Sequence, residues 1–352
     1  MELSNVLTEL VENDASDIFI VSGARLSYKA NGEIMHYGEQ PLSVMDTEKM
    51  VREILSLAYM ELENGKLPER ELDFSFSLRG VGRFRANIYK QRGSYAAVLR
   101  FVPFELPEAD KLGIPEGIME FGKCRGGIVL VTGAAGNGKS TTLACIIDRI
   151  NRTQKSHIIT IEDPIEFLHR HDKSIISQRE INLDTQNYLD ALRSALRQSP
   201  DVIFLGEMRD YETISVAMTA AETGQLVLST LHTLGAASTI DRIIDVFPIN
   251  QQHQIRIQLS MTLKGVVSQQ LLPSVEGKLI PAFEIMTTNS AIRTMIREEK
   301  THQIDTIIQS TAGMQTMDNC IAELYKSGRI TADTAVEYAY HPEIMRKRLG
   351  VN

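Results

Sequence analysis

The chain has 352 residues, 43% of them hydrophobic and 23% charged, with a net charge of −8, enough for about two globular domains at ~150 residues each. No apolar run reaches the ~18 residues of a membrane span, and Met1-Glu2-Leu3-Ser4-Asn5 lacks the basic and apolar regions of a secretory signal. Three scattered cysteines, Cys124, Cys145 and Cys320, fit a reducing compartment and exclude both a disulfide framework and a four-cysteine zinc site.

The first hundred residues alternate helix and strand signals. Leu3, Val6, Leu7, Leu10 and Val11 form an i, i+3, i+4 stripe that predicts an amphipathic helix. Residues 17–21 read as a strand ending at Ser22-Gly23, and residues 45–57 as a second helix. Residues 73–78 and 83–89, joined by Gly80-Val81-Gly82, predict a β-hairpin, with a further strand over 96–101. Two prolines in Val102-Pro103-Phe104-Glu105-Leu106-Pro107 favour an extended linker. Beyond it the strands become short and wholly apolar, at 128–131, 158–161, 202–205 and 226–229, with helices between them. That pattern predicts a parallel sheet covered on both faces. From Leu279 onward the chain reads as mainly helical. The expected organisation is an N-terminal domain over 1–101, a linker over 102–110, an α/β core over 111–278 and a helical region over 279–352.

Gly133-Ala134-Ala135-Gly136-Asn137-Gly138-Lys139-Ser140-Thr141 fits G-x-x-x-x-G-K-[ST] between a β-branched strand and a helical stretch. Backbone N–H groups of such a turn close around phosphate oxygens, and the helix N-terminus adds partial positive charge. Lys139 would reach the β/γ-phosphates and Ser140 a Mg²⁺ ion. Three more motifs follow strands. Glu207 ends an apolar strand in the layout of a Walker B element, where an acid serves Mg²⁺ or its water. Glu162-Asp163-Pro164-Ile165-Glu166 sets three carboxylates at another strand end, the ligand crevice of a doubly wound sheet. His232 ends a third strand, where it could bond a γ-phosphate. Arg83 and Arg85 share one strand face, and Arg100 lies on a later strand; an arginine supplied in trans often stabilises a transferring phosphoryl group.

These elements, in this order and spacing, resemble the secretion-ATPase superfamily, and within it the PilT-type twitching-motility ATPases. Residues 162–166 resemble that family's Asp box, Gly206-Glu207-Met208-Arg209-Asp210 its Walker B and Thr230-Leu231-His232-Thr233 its His box. Ala291-Ile292-Arg293-Thr294-Met295-Ile296-Arg297-Glu298 resembles the A-I-R-N-L-I-R-E signature of retraction ATPases, with Thr294 and Met295 in place of Asn and Leu. Asp73-Phe74-Ser75-Phe76 and Gly82-Arg83-Phe84-Arg85-Ala86-Asn87 match its first domain. The resemblance implies a hexameric ring of subunits, each a PAS-like domain followed by a RecA-like ATPase domain with ATP between them, that retracts type IV pili. It implies Glu166 as general base with Glu162 as the alternative, His232 as γ-phosphate sensor, and Arg83, Arg85 and Arg100 as trans arginines. The implied setting is cytoplasmic, at the inner membrane only through a pilus platform protein. Ala134, Ala135 and Asn137 replace the family's usual Pro, Thr and Ser in the loop, and Ser16-Asp17-Ile18 lacks the usual His. Three other readings share these motifs: a pilus assembly or type II secretion ATPase, a nucleic-acid translocase (disfavoured by the net acidity), and a non-hydrolysing scaffold subunit.

Overall fold

The computed structural model describes residues 2–30, 32–62, 65–102, 106–208 and 210–350. Pro103, Phe104 and Glu105 of the expected linker and Arg209 of the Walker B segment lie outside the described residues. The chain divides into two compact units, Met1–Glu105 with Glu166–Leu168, and Leu106–Ile165 with His169–Asn352.

The first unit is an α+β assembly. Its elements are α1 (Leu3–Glu12), β1 (Asp17–Ile20), β2 (Leu26–Ala30), β3 (Glu33–Tyr37), α2 (Val44–Leu57), β4 (Leu72–Leu78), β5 (Gly82–Gln91) and β6 (Ser94–Val102). The stripe seen in the sequence makes α1: Leu3, Val6, Leu7 and Leu10 are buried. A reciprocal pair opens α2, in which Ser43 Oγ accepts from Asp46 N while the Asp46 carboxylate accepts from Ser43 N. The strands form an antiparallel sheet in the order β3-β2-β1-β6-β5-β4. Alternation sends Phe84, Ala86 and Ile88 into the core and leaves Arg83, Arg85 and Asn87 on the other face. Strands β2 and β3, the second of them at the sheet edge, have no counterpart in the sequence reading. β3 is exposed along nearly all its length, so no apolar alternation announces it.

In the second unit α3 (Glu116–Met119) precedes β7 (Gly127–Thr132), α4 (Lys139–Thr153), β8 (His157–Glu162), β9 (Ile175–Glu180), α5 (Tyr188–Ala195), β10 (Val202–Leu205), α6 (Tyr211–Glu222), β11 (Leu226–Leu231), α7 (Ala236–Asp245) and α8 (Ile249–Thr262). A hairpin of β12 (Leu263–Pro273) and β13 (Leu279–Thr287) leads to α9 (Ser290–Arg297), α10 (Ile304–Ser310), α11 (Met317–Lys326), α12 (Ala332–Tyr338) and α13 (Pro342–Leu349). The sheet order is β13-β12-β7-β11-β10-β8-β9, parallel except for β13. Both faces are covered, as wholly apolar strands require. Val129 and Val131 pack with Leu143, Ile146 and Ile147 on one face, and Ile128 and Leu130 with Ala217, Ile240 and Leu259 on the other.

The helical stretch begins at Ser290 rather than Leu279, because residues 279–287 pair with β12. The hairpin turn is closed by Ser274 N donating to Lys278 O, with Gly277 at φ 77°. In the signature segment, Ile292 and Ile296 are the buried face of α9, with Met295 packed beside them.

Candidate nucleotide site

Strand order builds this site. β7, β11, β10 and β8 are consecutive neighbours, and each is followed at its C-terminal end by one of the four motifs. Segments far apart in the chain therefore line one sheet edge, the crevice in which open α/β sheets bind ligands.

The phosphate loop leaves β7 and enters α4 through Gly133, Gly136 and Gly138, all at positive φ (142°, 81° and 76°). Only glycine adopts those angles without strain. Lys139 begins α4 and is buried, 7% exposed. Its Nζ donates to Gly133 O and Ala134 O, each at 2.9 Å, and lies 3.5 Å from His232 Nδ1. An ammonium group removed from water needs such partners.

His232 follows β11, and its Nε2 is 3.6 Å from Glu207 Oε2 across the neighbouring β10 end. Lys139, His232 and Glu207 are thus in one line. The β10 and β11 ends are tied by Thr230 Oγ1 donating to Gly206 O at 2.5 Å. Gly206 N donates to Ile161 O at 2.8 Å, which ties β10 to β8. A side chain at Gly206 would meet the Tyr188 hydroxyl at 2.8 Å. A larger residue here would have to displace that hydroxyl.

Glu162 ends β8 and is 7% exposed; its Oε1 accepts from Thr160 Oγ1 at 2.6 Å and Gln178 Nε2 at 3.2 Å. Glu166 is exposed and groups with the first unit. Arg83, Arg85 and Arg100 stand together in that unit. Arg85 and Arg100 are directly opposite in the β5–β6 register, and Arg83 lies two residues from Arg85 on the same face. Asp17 Oδ1 accepts from Arg100 Nε at 2.9 Å.

Other contributors escaped the sequence reading. Thr142 Oγ1 donates to Gln269 Oε1 at 2.7 Å, and Leu271 N donates to Asn137 Oδ1 at 3.4 Å. Asn137, a departure from the family loop, therefore bonds to the adjoining strand β12. The signal available was the polar run Ser268-Gln269-Gln270 between the apolar pairs Val266-Val267 and Leu271-Leu272. A cavity of about 820 Å³ opens beside the loop, lined in part by Gly138, Thr141, Gln269, Lys278 and Arg329.

Among the described residues no group of three His, Cys, Asp or Glu side chains could hold a metal ion by itself. Ser140 and Glu207 nevertheless offer hard oxygen donors beside the loop. That is the partial set that suits Mg²⁺, an ion that keeps waters and takes its remaining ligands from phosphate.

Residues 1–337 match the family described as Type II/IV secretion system protein. The chain is 41% identical over 346 residues to the type IV pilus retraction ATPase PilT of Pseudomonas aeruginosa, covering 97% of this chain and 99% of that one. It is 43% identical over 320 residues to a twitching motility protein of Neisseria gonorrhoeae, covering 90% and 85%. The crystal structure of the pilus retraction motor PilT with bound ADP superposes with a TM-score of 0.90 at 47% identity, over 99% of each chain. The fold is accordingly an N-terminal PAS-like domain followed by a RecA-like ATPase domain with a mostly helical end. The chain belongs to the type II/IV secretion system protein family, as one of its ATPases.

Proposed function

We propose that this protein hydrolyses ATP to retract type IV pili and so drives twitching motility. The observation that carries the mechanism is the line of strand ends that sets Lys139, His232 and Glu207 side by side, with Glu162 on the next strand. On nucleotide binding, Lys139 exchanges the Gly133 and Ala134 carbonyls for β/γ-phosphate oxygens, while the amides of residues 133–141 surround the phosphates. Ser140 and Glu207 would hold Mg²⁺, which would supply positive charge against the negative charge of the phosphates. His232, already within reach of both Lys139 and Glu207, contacts the γ-phosphate and reports its loss.

Glu166 is the general base in this reading. A specific observation favours Glu162 as the alternative: it is buried at the sheet edge and held by Thr160 and Gln178, the kind of fixed carboxylate that can orient a water. Arg83, Arg85 and Arg100 are supplied by a neighbouring copy. Two arginines directly opposite on a strand pair repel, and an incoming phosphate would relieve that. Six copies form a ring, which works in the cytoplasm and meets the inner membrane through a pilus platform protein. No direct contact with nucleic acid is involved. No helix among the described residues is long and apolar enough to cross a membrane.

Phosphate release by purified Glu207→Ala protein, and pilus counts on cells carrying it, test this. The expected result is lost turnover with pili retained on cells that no longer twitch. Undiminished turnover would overturn the site, and cells without pili would favour an assembly ATPase.

A further inference from the structure

We propose that Gln269 of β12 is a positioning residue for the nucleotide, bracing the phosphate loop through a side-chain amide pinned by Thr142. The inference rests on the reading that residues 133–141 hold the phosphates. Gln269 is 4% exposed and lies one position from the β7-paired Ser268. A buried primary amide in an apolar strand is costly unless its polar atoms are used.

Three separate contacts converge on the loop from this strand. The main-chain oxygen of Gln269 would lie 2.3 Å from a Cβ at Gly133, so the loop begins in direct contact with β12. The side-chain Oε1 accepts from Thr142 Oγ1 at 2.7 Å, in the first turn of α4. With the oxygen end so engaged, the Nε2 end faces the loop: it would lie 3.0 Å from a Cβ at Gly138, a residue at φ +76°. Leu271 N adds a fourth tie through Asn137 Oδ1.

The loop is therefore closely approached at its start and at its end, and bonded at Asn137 and in the following helical turn, by one strand. A loop held in its binding shape does not have to be ordered when nucleotide arrives, which strengthens binding without touching the groups that act on the γ-phosphate. Ser268, the preceding residue, faces the other way, bonding to Thr132 Oγ1 and accepting from Gly235 N. It supplies a control on the same strand.

The experiment measures the Kd of a fluorescent ADP analogue together with steady-state ATP turnover. Gln269→Leu is expected to raise Kd and KM about 10-fold with kcat within about twofold, the pattern of lost uniform binding. Thr142→Val is expected to reproduce the effect in part. The double variant should be no worse than Gln269→Leu alone, since the two residues act as one unit. Thr142→Ser, which keeps the hydroxyl, should match the unaltered protein. Ser268→Ala should leave Kd unchanged. An unchanged Kd in Gln269→Leu, or additive effects in the double variant, would overturn the proposal. If Gln269→Leu does not fold, the contrast between Thr142→Val and Thr142→Ser decides in the same way. Lys139→Ala, run in parallel, separates the two levels: if it leaves turnover intact, the nucleotide-site reading itself fails, whatever Gln269 does.

Discussion

In the six-stranded sheet Arg85 and Arg100 are exposed, whereas in the seven-stranded unit Lys139, at the start of α4, and Glu162, at the end of β8, are buried. The difference follows from layering. An antiparallel sheet packed against helices on one face leaves the other to water, while a parallel sheet covered on both faces exposes polar groups only where its strands stop. Both regions offer cations to a phosphate, but on different terms. Lys139 is prearranged and already bonded to Gly133 and Ala134. In the proposed function it responds to a ligand by changing partners. Arg85 and Arg100 are exposed, and Asp17 accepts from Arg100. In the proposed function, one sheet holds its own nucleotide and the other acts on a neighbour's.

Four substitutions test that division. The largest effect is expected for Lys139→Ala: removing the buried cation should lower phosphate release by at least about 10³-fold, because no exposed residue can replace it. Next is the pair Arg85→Ala and Arg100→Ala. If these arginines act in trans, turnover should fall by about 10² to 10³-fold, with thermal stability no lower, since directly opposed like charges are being removed. A double variant with full turnover would erase the functional half of the comparison. Mixed assemblies of arginine-less and Lys139→Ala subunits should regain some activity, because each supplies what the other lacks. Third, Glu207→Gln should lower turnover by about 10²-fold while the protein still binds ADP, as expected for a group acting with Mg²⁺ rather than holding the phosphates.

The smallest effect concerns a buried acid away from the phosphate loop. Glu284 in β13 is 2% exposed, and burial pushes its carboxyl up to about 7, aided by the nearby Asp305 and Asp318 and opposed by hydrogen bonds from the Ala236 and Met317 amides. The unfolded chain loses this proton near 4.5, the folded chain near 7. Its contribution is therefore complete below about pH 4.5 and is lost as pH rises to about 7. Glu284→Gln should flatten the fall in stability between pH 5 and 8 by about 1 to 3 kcal/mol in urea unfolding. Turnover at pH 8 should be unchanged. A pH slope unaffected by the substitution would show that the carboxyl ionises normally.

The phosphate loop was legible because its requirement is local: a turn that brings backbone amides together needs glycine at fixed positions, whatever packs around it. The core strands at 128–131, 158–161, 202–205 and 226–229 were legible because a strand buried on both faces must be apolar throughout. Strand β3 was not, since an edge strand in water carries no such pattern, and β13 was hidden in a segment whose pairing depends on β12. Arg83 and Arg85 could be placed on one face by the two-residue repeat. That Arg100 lies directly opposite Arg85 depends on register, which spacing along the chain does not encode.

What the sequence determined by itself is the set of candidate residues and their local setting: a glycine-rich turn between a strand and a helix, and acids and a histidine at the ends of apolar strands. Only the tertiary structure decided which of them are neighbours. The β7-β11-β10-β8 order brings residues 139, 232 and 207 together, and the pairing of β12 with β7 on its other side sets Gln269 against the phosphate loop. Strand order is settled by how the helices cover two faces of one sheet, a property of the whole packed unit and of no single segment.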